Sequence, residues 1–363
     1  MSELETKLER VQTLLQTRGL QALLLEKVSS FAWLTCGARS YVNTAATNGA
    51  ASLLITPDAR YVMTNNIEAT RLVQEERLKE LGWDVRFTAW HTARETAARL
   101  APGLGLGADG PVPGAVDLAA EVTALRMQLL PEEGERFRQL GALCAQGMDA
   151  AIRKVQPGMT EYQIAATLAG EVEALGVQAV VNLIAVDERI FAYRHPLPTG
   201  KQLERYAMLV LCGRRQGLVC SLTRLVHFGK MPEEVRRKSE ATAAVDAALI
   251  TATRPGRTLE QVLEAGIRTY EKLGFGSEWQ LHHQGGPAGY EPREAVAAPG
   301  VTIPVEVGQA YAWNPSITGT KSEDTILVGA DENEVISAIP GWPMQRVEVD
   351  GRAFERPAIL EVT

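Results

Sequence analysis

The side chains able to move a proton or hold an anion near neutral pH gather in a few short stretches of the second half of this sequence. Imidazole exchanges protons near pH 7 without special tuning. Of the 5 histidines, His195 lies in Tyr193-Arg194-His195-Pro196-Leu197-Pro198, and His282 and His283 precede Gln284-Gly285-Gly286. Guanidinium groups pair bidentately with carboxylates, which makes Arg194, Arg224 and Arg39 candidates for binding one. An arginine in an α/β domain is more often half of an ion pair, and Arg39 is read that way. Ser221 and Cys220 could be nucleophiles, but neither stands in a nucleophile elbow or at a helix start that would activate it. The 4 cysteines, Cys36, Cys144, Cys212 and Cys220, include no CxxC pair, so buried reduced thiols are expected rather than a zinc knuckle or disulfide framework. The run Gly103-Leu-Gly-Leu-Gly107 lacks the third glycine and the following helix of a dinucleotide loop, so it reads as strand and turn.

These residues need a scaffold, and 363 residues suffice for two domains. Leu8, Val11, Leu14 and Leu15 have helical spacing before Gly19, a helix stop. The runs Ala22–Leu25, Ala51–Ile55 and Tyr61–Met63, separated by turn formers such as Pro57-Asp58, read as strands of a small α/β domain. At Pro131-Glu132-Glu133 a long helical pattern begins, running through Leu140, Leu143 and Met148. The boundary is therefore placed at 1–127 and 128–363.

The second domain contains an internal repeat. Pro157-Gly158-Met159-Thr160-Glu161-Tyr162-Gln163, ending at Leu175-Gly176, recurs at one constant offset as Pro255-Gly256-Arg257-Thr258-Leu259-Glu260-Gln261, ending at Leu273-Gly274. In each copy Thr and the Gln three residues later form a capping box, and the glycine supplies a left-handed helix end. Two such copies predict two similar α/β halves, with the site in the crevice between them.

The stretch LRMQLLPEEGERFRQLGALCAQGMDAAIRKVQPGMTEYQIAATLAGEVEALG, Leu125 to Gly176, resembles the entry to the pita-bread domain shared by methionine aminopeptidase, aminopeptidase P, prolidase and creatinase. The segment before it resembles the creatinase-like N-terminal domain of that branch. The fold class implied is mixed α/β (α+β), a creatinase-like domain followed by a pita-bread domain with a pseudo-two-fold repeat. The resemblance also implies two Asp, one His and two Glu holding a pair of divalent ions that activate a bridging water. Matched to these positions, the first Asp falls at or near Val210, the second is Ser221 before Thr223-Arg224, and the His is retained as His283. The first Glu becomes Asn314, and the second survives as Glu323. Tyr290 stands where the metallopeptidases have a second histidine. One carboxylate cannot neutralise two divalent ions, so no metal and no cofactor are expected.

Creatinase sets a precedent for metal-free hydrolysis, and its acid/base histidine matches His195. The resemblance thus implies His195, Glu323 and His283 as catalytic residues, and Arg194, Arg224, Tyr290, Asn314, Ser221 and Arg39 as substrate-binding. Three functions are open: a metal-independent C–N hydrolase of a small molecule or dipeptide, a non-catalytic binding protein using the old cleft, and a residual metal-dependent Xaa-Pro dipeptidase. The net charge of -7, without a basic block, argues against nucleic acid as a partner, and no apolar run is long enough to span a bilayer. A cytoplasmic homodimer is expected.

Overall fold

The computed structural model describes residues 1–349 and 351–363. The chain forms two compact units: residues 1–133 with 216–218, and residues 134–215 with 219–363. The division falls in the first turn of the helix Pro131–Ile152, a little beyond the boundary expected from the change in sequence character. No helix among the described residues is long and apolar enough to cross a membrane.

The first unit opens with the helix Glu3–Arg18, whose start is closed by a Ser2/Glu5 capping box and whose end is Gly19 at φ 64°. Its buried face is Leu4, Lys7, Val11 and Leu15. Lys7 was not legible as a core residue; its ammonium is buried because Glu3, Glu133 and the Trp33 carbonyl surround it at 2.6–2.7 Å. Behind this helix run β1 (Ala22–Lys27), β2 (Asn48–Ile55), β3 (Arg60–Asn65), β4 (Asp84–Thr88), β5 (Leu106–Ala108) and β6 (Val116–Asp117). They make one sheet in the order β4-β3-β2-β1-β5-β6. The three apolar runs become β1, β2 and β3, and the glycine run leads into β5 as strand and turn.

The second unit repeats one construction. The helix Pro131–Ile152 and the capped helix Glu161–Glu173 precede β7 (Gln178–Val186), β8 (Tyr206–Arg215) and β9 (Leu218–Phe228). The helix Glu233–Ala252 and the capped helix Leu259–Lys272 precede β10 (Gly285–Ala288), β11 (Ala310–Trp313), the short pair β12 (Ser316–Ile317) and β13 (Thr320–Lys321), and then β14 (Asp324–Leu327) and β15 (Glu334–Val335). Both capping boxes form, and Gly176 and Gly274 take φ 73° and 81°. The correspondence extends beyond the sequence repeat: Thr160 bridges Gln202, and Thr258 bridges Pro304. The N–H groups of Gly158 and Gly256 likewise donate to Leu203 and Val305.

A C-terminal hairpin, β16 (Met344–Val349) with β17 (Arg352–Pro357), is followed by β18 (Leu360–Val362), which pairs parallel to β9. The sheets run β18-β9-β8-β7 and β10-β11-β14-β15. An antiparallel bridge, Thr223 with Glu323, joins them, reinforced by Ser221 N–H donating to Thr325 Oγ1 at 2.9 Å and Val219 N–H donating to the Gly289 carbonyl at 2.8 Å. Buried Tyr311 and Trp313 stack at 5.7 Å in the core beneath the second half.

Removing either cap hydroxyl leaves an orphan N–H at a helix start. Thr160→Ala and Thr258→Ala should each cost about 1 kcal/mol in denaturant unfolding, with the m-value unchanged.

Candidate functional site

The candidate site lies in the second unit where the loops of both halves meet. His195 sits between β7 and β8, on a loop tied down by the buried Glu161, the first residue of its capped helix. Glu161 accepts from Val186 N–H, Arg189 Nε, Thr199 N–H and Thr199 Oγ1 at 2.7–3.0 Å, and Arg189 in turn donates to the Leu197 carbonyl. His282 and His283 enter β10 after a short 3-10 turn. Gln284 fixes them by donating to the Trp279 and His282 carbonyls and accepting from Tyr270 Oη at 2.9 Å. Gly285 permits the approach of β11: at φ 108°, a Cβ there would stand 2.1 Å from the Ala312 carbonyl.

The rings of His195, His282 and His283 are mutual neighbours, with centroids 4.7–5.6 Å apart. His282 Nδ1 faces Ser316 Oγ at 3.2 Å, while its Nε2 faces His195 Nε2 at 3.1 Å and Asn314 Nδ2 at 3.4 Å. The pattern is met when His282 carries its proton on Nδ1 and accepts at Nε2 from His195 Nε2–H and the Asn314 amide. Nδ1 of His195 is then the lone pair left for proton uptake. Burial holds His282 at about 2, helped by Lys321 and the two other imidazoles. Burial, then Arg293, holds His283 at about 4. Burial and Lys321 lower His195 too, against the pull of Glu323. All three rings are neutral at pH 7.

Beside them stands Glu323, 2% exposed. It accepts from Thr223 Oγ1 at 2.6 Å, Lys321 Nζ at 2.8 Å and Arg293 Nη2 at 2.9 Å. Burial alone would raise its carboxyl, but Lys321 and Arg293 outweigh burial and hold it at about 2. Arg293 also reaches Ser221 Oγ at 3.3 Å, so its guanidinium spans two of the positions where the resemblance puts metal ligands.

The structure redistributes several expected roles. Val210 packs into a core with Ala185, Met208 and Leu225, and the residue facing Ser221 is Cys212, its Sγ 3.2 Å from Ser221 Oγ. Burial and the Glu323 charge push the Cys212 thiol up to about 11, so it is protonated and not a nucleophile. Arg224 is a scaffold group: it is 2% exposed and donates to the Thr223, Glu323 and Ser337 carbonyls and to Asp324. Arg194 pairs with Glu278 at 2.6 Å and bonds Thr318, joining the His195 loop to the second half. Arg39 pairs with Glu76 inside the N-terminal unit. Tyr290 is buried, and its N–H donates to Glu294. His195, His282, His283, Asn314, Ser221 and Glu323 do converge. Lys321, Arg293 as a charge on Glu323, Cys212 and the bonding role of His282 were missed. The one signal for Lys321 was its place two residues before Glu323.

The donor set does not fit a dinuclear centre. Two adjacent divalent ions need several carboxylates, whereas Cys212, Ser221 and Asn314 are neutral and Glu323 already binds two protein cations. The three imidazoles offer ligand atoms within 4.8 Å of one another and could hold one ion. Against that stands the excess positive charge of Lys321 and Arg293 beside them.

Replacing Glu323 by Gln should leave the buried Lys321 and Arg293 without their counter-ion and cost about 3–5 kcal/mol, whereas Lys321→Met, which leaves Arg293 on Glu323, should cost less. Guanidinium unfolding of the three proteins checks this.

No curated protein matches the chain in sequence. Its fold matches solved structures closely. An Xaa-Pro dipeptidase from Bacillus anthracis superposes with a TM-score of 0.80 at 17% identity over 99% of this chain and 100% of that one. The prolidase from Pyrococcus horikoshii OT3 gives 0.78 at 17%, over 92% and 98%. The N-terminal domain of the FACT complex subunit SPT16 from Cicer arietinum gives 0.70 at 12%, over 93% and 97%. Residues 135–330, more than half of the chain, match the model of metallopeptidase family M24. By that match and its pita-bread fold, the chain belongs to metallopeptidase family M24.

Proposed function

We propose that this chain hydrolyses a C–N bond in a small molecule or dipeptide without the dinuclear metal centre, with His195 as the proton-transfer group. The observation that supports this best is the state of His195: neutral, held through Nε2 on His282, and with Nδ1 available. Nδ1 would take a proton from water as it attacks the carbonyl and return it to the leaving nitrogen. Positive charge on Lys321 and Arg293 would favour the oxyanion that forms. The relatives' names supply the substrate class: a prolidase and an Xaa-Pro dipeptidase share the fold.

A second reading, a protein that binds a ligand in this cleft without chemistry, is favoured by the bonding of Glu323. Glu323 is bonded to Lys321, Arg293 and Thr223, so it does not orient His195 as the acid of a catalytic triad does. The same fold also builds a subunit domain of the FACT complex.

Dialysed, chelator-treated protein screened against dipeptides, N-acyl amides and guanidino compounds separates the readings. Hydrolysis should be indifferent to chelator and added manganese, and His195→Gln should lower it by about 10²–10⁴-fold. Turnover that appears only with manganese, cobalt or zinc would contradict the proposal. Saturable binding with no turnover would favour the second reading.

A further inference from the structure

The two central strands of the first unit's sheet part at Glu26. β1 and β2 pair Leu25 with Leu53 and Lys27 with Asn48, so residues 49–52 all lie opposite Glu26 alone. A bulge of this kind interrupts the ladder and bends the bulged strand away. Ala50 is bonded elsewhere: its N–H donates to the Ser40 carbonyl, and its own carbonyl accepts from Thr64 Oγ1. The sheet face that carries Leu24, Leu54 and Met63 is covered by the single-turn helix Ala97–Leu100 and the turns beside it. So short a cover leaves a cavity of about 470 Å³, floored by Leu24, Met63 and Val112 and bounded by the small residues 49–52.

Glu26 stands in the wall of this cavity, and its carboxylate has no hydrogen bond or ion pair among the described residues. The backbone beneath it is fixed by a second acid. Asp109, 2% exposed, spends both carboxylate oxygens on the N–H groups of Glu26 and Lys27, at 2.9 and 3.1 Å. Two like charges are thus held together, the outer one facing the cavity unpaired. Burial, then Asp109, raises the Glu26 carboxyl above its ordinary value, against the pull of Arg94. Arg94 lines the cavity without an ion pair of its own among the described residues, whereas Glu95 pairs with Arg99 at 3.4 Å. Glu26 and Asp109 against Arg94 leave one negative charge in excess.

The geometry points to an organic ammonium ion as the ligand of this cavity, with its charge on the Glu26 carboxylate and its apolar body on Leu24, Met63 and Val112. A single positive charge balances the excess. A divalent metal would exceed it and would lack ligands, since both oxygens of Asp109 are already bonded. The apolar floor gives an organic body the burial that a bare ion cannot use. The site is separate from the cleft of the second unit and stands whether or not any hydrolysis occurs there.

Isothermal titration of the full chain with phenethylamine, phenethyl alcohol and calcium chloride tests it. The amine should bind at least about tenfold more tightly than the alcohol, which has the same body without the charge, and more tightly than calcium. Glu26→Gln keeps the shape and removes the charge, and should weaken the amine at least about tenfold while leaving the alcohol unchanged. Ala98→Trp, at an exposed position lining the cavity, should weaken amine and alcohol together by filling the space. Thermal melts report the fold of both variants. Equal binding of amine and alcohol, preference for calcium, amine binding unchanged in either folded variant, or no amine binding at millimolar concentration would overturn the assignment.

Discussion

The carboxylate of Glu323, out of water and shared by Lys321, Arg293 and Thr223, is the contact on which the second unit depends. Its donors come from three separate pieces of chain: Thr223 from β9 in the first half, Lys321 from β13, and Arg293 from the loop after β10. An isolated carboxylate at this depth would take a proton, and either cation without it would be driven to solvent. Together they close the place where the sheets of the two halves meet. In the function proposed above, these cations supply the positive charge that a metal centre would otherwise bring.

The residues flanking Glu323 point the other way, as alternation along an extended chain requires. Ser322 Oγ bonds Asp246 Oδ2 at 2.5 Å, and Asp324 takes Arg224 at 2.8 Å and Arg356 at 2.6 Å. Arg356 returns to Asp246 at 2.7 Å, which closes a fully buried chain of alternating charges against the helix Glu233–Ala252. Burial pushes the Asp246 carboxyl up against the pull of Arg356. One extended segment thus presents Glu323 to the cleft while its neighbours are clamped from behind, and Arg224 carries that clamp to Thr223. The network acts by fixing where the carboxylate can sit. Rigid placement of this kind is what a site assembled from loops of two halves otherwise lacks.

Local signals carried the fold well. The capping boxes at Thr160 and Thr258 and the glycines that end their helices are rules of a few consecutive residues, and each formed as read. His195, His283, Ser221, Asn314 and Glu323 were legible because the family's spacing brought them to one place. Spacing failed at the β8–β9 hairpin. There Gln216 and Gly217 form a two-residue turn with φ 49° and 79°, so Cys212, not Val210, lands opposite Ser221. Turn length sets register, and a register argument borrowed from relatives inherits their turn. Lys7, Arg293 and Lys321 were illegible for another reason. A charged residue in a polar run reads as surface until its buried partners are known, and Lys7 and Arg293 have partners far away in sequence.

The proposal that protein cations stand where the family's metals would has a direct test in crystals grown with excess manganese and measured at its absorption edge. The account predicts no anomalous peak among Ser221, His283, Asn314 and Glu323, with density for the Arg293 guanidinium and the Lys321 ammonium on the Glu323 carboxylate. A strong anomalous peak on Glu323, with Arg293 swung away, would contradict it.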